Sequence, residues 1–107
     1  MSQDIQHQAL KVILHAPTPA ALERARKNAV NLLRDAPDTD LRIVLNAEAV
    51  EAALDHAHAD MDARTWVCPT TLNRIGRENR PPLQVMTSSA IIEIAYMLRA
   101  GWVYIRS

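Results

Sequence analysis

Five short apolar runs separated by segments of helical spacing predict an α/β fold, three layers deep, around a mostly parallel five-stranded sheet. Two further observations support it. Helices rather than tight turns join the strands, and such crossovers set successive strands parallel with helices on both faces. No repeat, low-complexity stretch or linker breaks the pattern. Residues 10–107 therefore form one domain, and residues 1–9 a flexible N-terminal segment.

Each element has its own signal. Residues 10–15 (LKVILH) are an apolar, β-branched run bounded by the Pro17/Pro19 loop. Residues 20–34 switch to helical spacing, with Leu22, Ala25, Ala29, Leu32 and Leu33 on one face. Arg24, Arg26 and Lys27 occupy the other. Pro37 ends this helix. Residues 41–45 (LRIVL) make the second strand. Residues 48–58 make the second helix, with Val50, Ala53, Leu54, Ala57 and Met61 as its buried stripe. Residues 64–68 form the third strand, followed by a short helix over residues 70–75. Residues 83–86 (LQVM) are the fourth strand. Thr87, Ser88 and Ser89 offer N-cap hydroxyls for a helix reaching Arg99, which Gly101 terminates. Residues 102–105 (WVYI) close the sheet.

Composition excludes several function classes. Twelve basic and twelve acidic residues cancel, so nothing draws the chain generally to nucleic acid or an acidic membrane surface. No apolar run approaches the ~20 residues of a membrane span. Residues 1–8 are polar and carry no signal-peptide pattern. Two glycines, Gly76 and Gly101, are too few for a glycine-rich phosphate loop. One cysteine cannot form an internal disulfide, which points to a reducing cytoplasm. No cofactor is implied. His56 and His58, flanked by Asp55 and Asp60, suggest a metal site, but residues two apart diverge on a helix. No metal is expected.

In a parallel sheet, ligand sites gather outside the carboxyl ends of the strands. Those ends are His15, Asn46, Cys68 and Thr87. Cys68 stands between the third strand and Pro69-Thr70-Thr71, a helix start. Unpaired backbone N–H groups and the positive end of the helix dipole there favour the thiolate. Two readings of Cys68 stay open: a nucleophilic or sulfur-carrying thiol, and a small apolar residue closing a buried strand. His15 is the candidate to take the thiol proton, or a histidine closing its strand with an ordinary hydrogen bond. Asn46, Glu48, Thr71 and Ser88 lie where a ligand would meet the same edge. Asn46 also suits a turn, Glu48 a first-turn dipole complement and Ser88 a cap. Arg74, Arg77 and Arg80 crowd the loop after Cys68, either to dock a partner or as a solvated loop.

The helix before Gly101 is apolar on almost every side: Ile91, Ile92, Ile94, Ala95, Tyr96, Met97 and Leu98, with only Glu93 and Arg99 charged. A domain this small cannot cover all of it, so it predicts a subunit interface.

Four stretches, Val12-Ile13-Leu14-His15, Asn46-Ala47-Glu48-Ala49-Val50, Val67-Cys68-Pro69-Thr70-Thr71-Leu72 and Gly101-Trp102-Val103-Tyr104-Ile105-Arg106, together span nearly the whole chain. On these the chain resembles the DsrE-like family of small sulfur-relay proteins. Relatives usually carry glycines where Ala47, Ala49 and Ala90 stand, so this chain is stiffer near the presumed site. The resemblance implies an open α/β sheet, assembly into trimers or hexamers, and a cysteine that accepts sulfane sulfur as a persulfide. Cys68 matches that cysteine, and a sulfur donor or acceptor protein would be the partner. The reading from another class is a non-catalytic oligomeric protein, structural or binding a small ligand at the same edge.

Overall fold

The computed structural model describes residues 8–107; most of the expected N-terminal segment lies outside the described residues. The sheet is five-stranded and entirely parallel, in the order β4-β3-β2-β1-β5. Its strands are β1 (Lys11–Ala16), β2 (Asp40–Leu45), β3 (Thr65–Val67), β4 (Gln84–Val85) and β5 (Val103–Arg106). The helices are α1 (Pro19–Asp35), α2 (Glu48–Asp55), α3 (Pro69–Ile75) and α4 (Ala90–Arg99). The sheet with helices on both faces is the three-layer architecture that the alternating pattern predicts.

Strand order dictates where the helices lie. The chain steps from β1 to β2, β3 and β4 in one direction, so right-handed crossovers set α1, α2 and α3 on a single face. It then returns across the sheet to β5, which sends α4 to the opposite face. The two faces have separate cores. One packs Val12, Leu14, Ile43 and Leu45 against Leu22, Ala25, Val50 and Leu72 of the three helices. The other packs Ile13, Val44, Cys68 and Met86 against Ala90 and Ile94 of α4. Fully buried alanines (Ala21, Ala25, Ala29, Ala49, Ala53) let α1 and α2 lie close to the sheet and each other.

α1 begins at Thr18, whose Oγ1 accepts the Ala21 N–H at 3.1 Å, with Pro19 pre-set for the first turn. The far end of α2 is tied down by arginines. Arg80 donates Nε to the Leu54 carbonyl (3.1 Å), Nη2 to the Ala53 carbonyl (2.7 Å) and Nη1 to Asp62 Oδ2 (3.0 Å). Arg26 donates Nη2 to the His56 carbonyl at 2.7 Å and reaches Asp62 Oδ1 at 3.5 Å. Asp62 is buried and also accepts the His58 N–H. Burial pushes the Arg26 pKa down, against the upward pull of Asp62 and with a further lowering by Arg80.

Several local expectations change. α2 stops at Asp55 rather than at His58, so Ala57 is exposed. Met61 is buried from a 3-10 turn, Asp62–Arg64, rather than from a helical stripe. His56 and His58 sit on the loop after α2, so the divergence of side chains on a helix does not describe them. Arg26, assigned to the polar side of α1, instead folds inward to Asp62. Among the described residues no helix is long and apolar enough to cross a membrane.

Candidate functional site

The carboxyl ends of the strands form one connected edge. Because β1 and β2 run side by side in register, His15 lies next to Val44 and within reach of Asn46. His15 Nε2 is 2.9 Å from Asn46 Oδ1, and Nδ1 is 2.6 Å from the Tyr104 hydroxyl on β5. With a carbonyl oxygen at Nε2, the neutral ring carries its proton there, and Nδ1 accepts from Tyr104. Both ring nitrogens are thereby engaged.

Next to Asn46 the backbone bends through Ala47, which has φ +50° and ψ −141°. This is a region in which a side chain is strained, at a cost of about 1–3 kcal/mol. The bend aims the Ala47 N–H at Thr71 Oγ1, 3.3 Å away on α3. Thr71 stands in the first turn of α3, the helix that Cys68 begins.

Cys68 is the residue from which α3 starts, and it lies beside the start of α4. β3 leads to a helix on one face and β4 to a helix on the other, so the sulfur sits in the crevice where the connections diverge. Burial pushes the thiol pKa up. It is outweighed by hydrogen bonds from the Ala90 N–H (3.4 Å), the Thr71 N–H and hydroxyl, and the Thr70 N–H, so the pKa lies below its ordinary value. The residue is only 4% exposed, among Ile13, Val44, Met86, Ala90 and Ile94. This geometry stabilises negative charge on sulfur while screening it from water.

The other expected site residues separate into groups. His15 does not reach Cys68: β2 lies between their strands, about 10 Å across two strand spacings. The donors on the sulfur come from α3 and α4 instead. Glu48 is exposed in the first turn of α2 and lines an outer cleft with Arg74, away from the sulfur. Ser88 is half-buried, and its N–H donates to Glu93 Oε1 at 3.3 Å, as does the Thr87 hydroxyl at 2.9 Å. Ser89 makes no side-chain cap; the sulfur of Cys68 and the Glu93 carboxylate serve the N–H groups at the start of α4. Capping by hydroxyls is thus replaced by capping with sulfur and carboxylate. Arg74 is exposed, Arg77 pairs with Asp55 at 2.9 Å, and Arg80 is withdrawn into its tether with Asp62.

Tyr104 joins the site without a local sequence signal, while Ala47 and Ala90 are two of the alanines already singled out near it. Tyr104 meets His15 because the last strand pairs with the first. Ala47 stands where a glycine conformation is needed, and Ala90 contributes only its backbone.

No protein-family model and no curated protein matches the chain. Among solved structures it is similar to MTH1491, a protein of unknown function from Methanobacterium thermoautotrophicum. The TM-score is 0.68 at 19% identity, over 92% of this chain and 99% of that one. At that identity the likeness speaks for the fold.

Proposed function

We propose that this chain is a DsrE-like sulfur-relay protein of the cytoplasm, a trimer or hexamer in which Cys68 carries sulfane sulfur as a persulfide. One observation carries the reading: the only cysteine lies at the carboxyl edge of the sheet, where its sulfur accepts the Ala90 N–H at 3.4 Å and its pKa is lowered. In the first step the Cys68 thiolate attacks the outer sulfur of a donor persulfide. A sulfur–sulfur bond forms at Cys68 as the donor's own breaks, and the donor leaves as a thiolate. In the second step an acceptor thiolate attacks the outer sulfur now on Cys68, and Cys68 departs as thiolate. No net oxidant is needed, and the same donors hold the charge at both ends of the cycle. His15 and Tyr104 position Asn46 beside the crevice rather than exchanging the thiol proton. Arg74, in the last turn of α3 rather than on a loop, is the exposed cation for an acidic partner, and Arg77 next to it is paired with Asp55.

The oligomer rests on a separate observation. Ile91 is 76% exposed, and Ile92, Tyr96, Leu98, Val103 and Ile105 are also uncovered on α4 and β5. The uncovered apolar residues of α4 suit a second copy of the chain, while Val103 and Ile105 pair with Val12 and Leu14 and so lie on the opposite face of the sheet.

The slight exposure of Cys68 favours the other reading, an oligomeric small-ligand-binding protein in which the sulfur only caps α4. Mass spectrometry after incubation with a low-molecular-weight persulfide separates the two. A gain of one sulfur on Cys68, lost on adding an acceptor thiol and absent from Cys68→Ser, supports carriage. A folded oligomer left unmodified at Cys68 rejects it.

A further inference from the structure

We propose that the cleft between α4 and the β2–β3–β4 part of the sheet binds a small organic carboxylate, with Arg42 holding the carboxylate group. Arg42 lies on the sheet face that carries α4, diagonal to Trp66 on the neighbouring strand. Its guanidinium carbon is 4.9 Å from the centroid of the Trp66 ring and 5.0 Å from that of Trp102. These are the two tryptophans of the chain, brought from β3 and from the residue before β5 to flank Arg42. The Lys11 ammonium, 5.8 Å from the Trp102 centroid, donates to the Ala100 carbonyl and lies outside the lining of the cleft. Stacking fixes the faces of the guanidinium and leaves its in-plane N–H donors unused. Among the described residues Arg42 has neither an ion-pair nor a side-chain hydrogen-bond partner, unlike Arg26, Arg77 and Arg80.

The surroundings define what would complete it. Arg42 and Trp66 open into a cleft of about 320 Å³, at the small end of the range for organic ligands. Val44, Val85, Met86 and Met97 make its walls apolar, which suits a short hydrocarbon body. The opposite end carries Glu93, whose Oε1 already accepts from Thr87 and Ser88. That negative charge turns an anion away and directs its head toward Arg42. A carboxylate matches the planar fork in a bidentate fashion. Inorganic phosphate would meet a single cation, apolar walls and a carboxylate. The site does not involve the thiol and stands or falls separately from sulfur carriage.

Hexanoate is the probe, with hexanol and inorganic phosphate as comparisons. The two indole N–H signals in proton–nitrogen correlation spectra report from the two sides of Arg42. Hexanoate should shift both to saturation, while hexanol and phosphate bind at least about tenfold more weakly. Arg42→Gln should abolish the response and Arg42→Lys weaken it about tenfold, because lysine keeps the charge without the stacked fork. Cys68→Ser should bind as the wild type does. The comparison of hexanoate with hexanol requires no variant. Indole signals unmoved by hexanoate, or equal binding of hexanol or by Arg42→Gln, would overturn the proposal.

Discussion

The two faces of the sheet are built from the same strands yet treated differently. One is sealed by three helices over Leu, Ile, Val and Ala, with its polar group Asp62 clamped between two arginines. The other has one helix, and around it stand Arg42, Trp66, Trp102, His15, Tyr104 and Cys68. Stability resides mainly on the first face. The second stays partly open, because one helix cannot cover it. The strand order causes this asymmetry, since three of the four crossovers fall on one side.

The sealed face should be the costlier one to damage. Ile43 is fully buried beneath the three helices, and Ile43→Ala should cost about 2–5 kcal/mol in denaturant unfolding. A loss below ~1 kcal/mol would show that this core is loosely packed. Asp62→Asn should cost about 2–3 kcal/mol, because Arg26 and Arg80 lose their shared charge while staying partly buried. On the edge that joins the faces the sign reverses. Ala47→Gly removes a side chain from a strained backbone and should stabilise by about 1 kcal/mol, after allowing for glycine's greater freedom in the unfolded chain. A destabilised Ala47→Gly would contradict the strain. Ile91→Asp, on the uncovered side of α4, should change single-chain stability by less than ~0.5 kcal/mol. Its effect should appear in sedimentation instead, as dissociation of the proposed oligomer.

The same contrast explains what could be read in the sequence. Strands and helices were legible because each carries its own periodicity, down to the β-branched runs at Val12 and Ile43. The helix of residues 90–99 announced its uncovered state by being apolar all round. Relations between distant elements were not legible. Nothing local pairs Tyr104 with His15, draws Arg80 back to α2, or stacks Arg42 between Trp66 and Trp102. The first follows from β5 lying beside β1, the stacking from the order of β3, β2, β1 and β5, and the Arg80 tether from the loop before β4 passing the end of α2. His15 and Cys68 belong to one edge, as the parallel sheet requires, but strand spacing keeps them from forming a pair. The cap of α4 was misread for a similar reason: three hydroxyls precede it, yet the sulfur is supplied by a different loop.

The fold holds Cys68 toward its thiolate. A thiol pKa lowered by folding adds stability above the unfolded pKa, and that stability is lost as pH falls through the folded value. Wild type should therefore gain stability relative to Cys68→Ser as pH rises between the two values. The most direct measurement is titration of the thiolate absorbance of Cys68 in the folded protein and in denaturant. The midpoint should be lower in the folded state; an equal or higher one would mean that folding does not favour the thiolate.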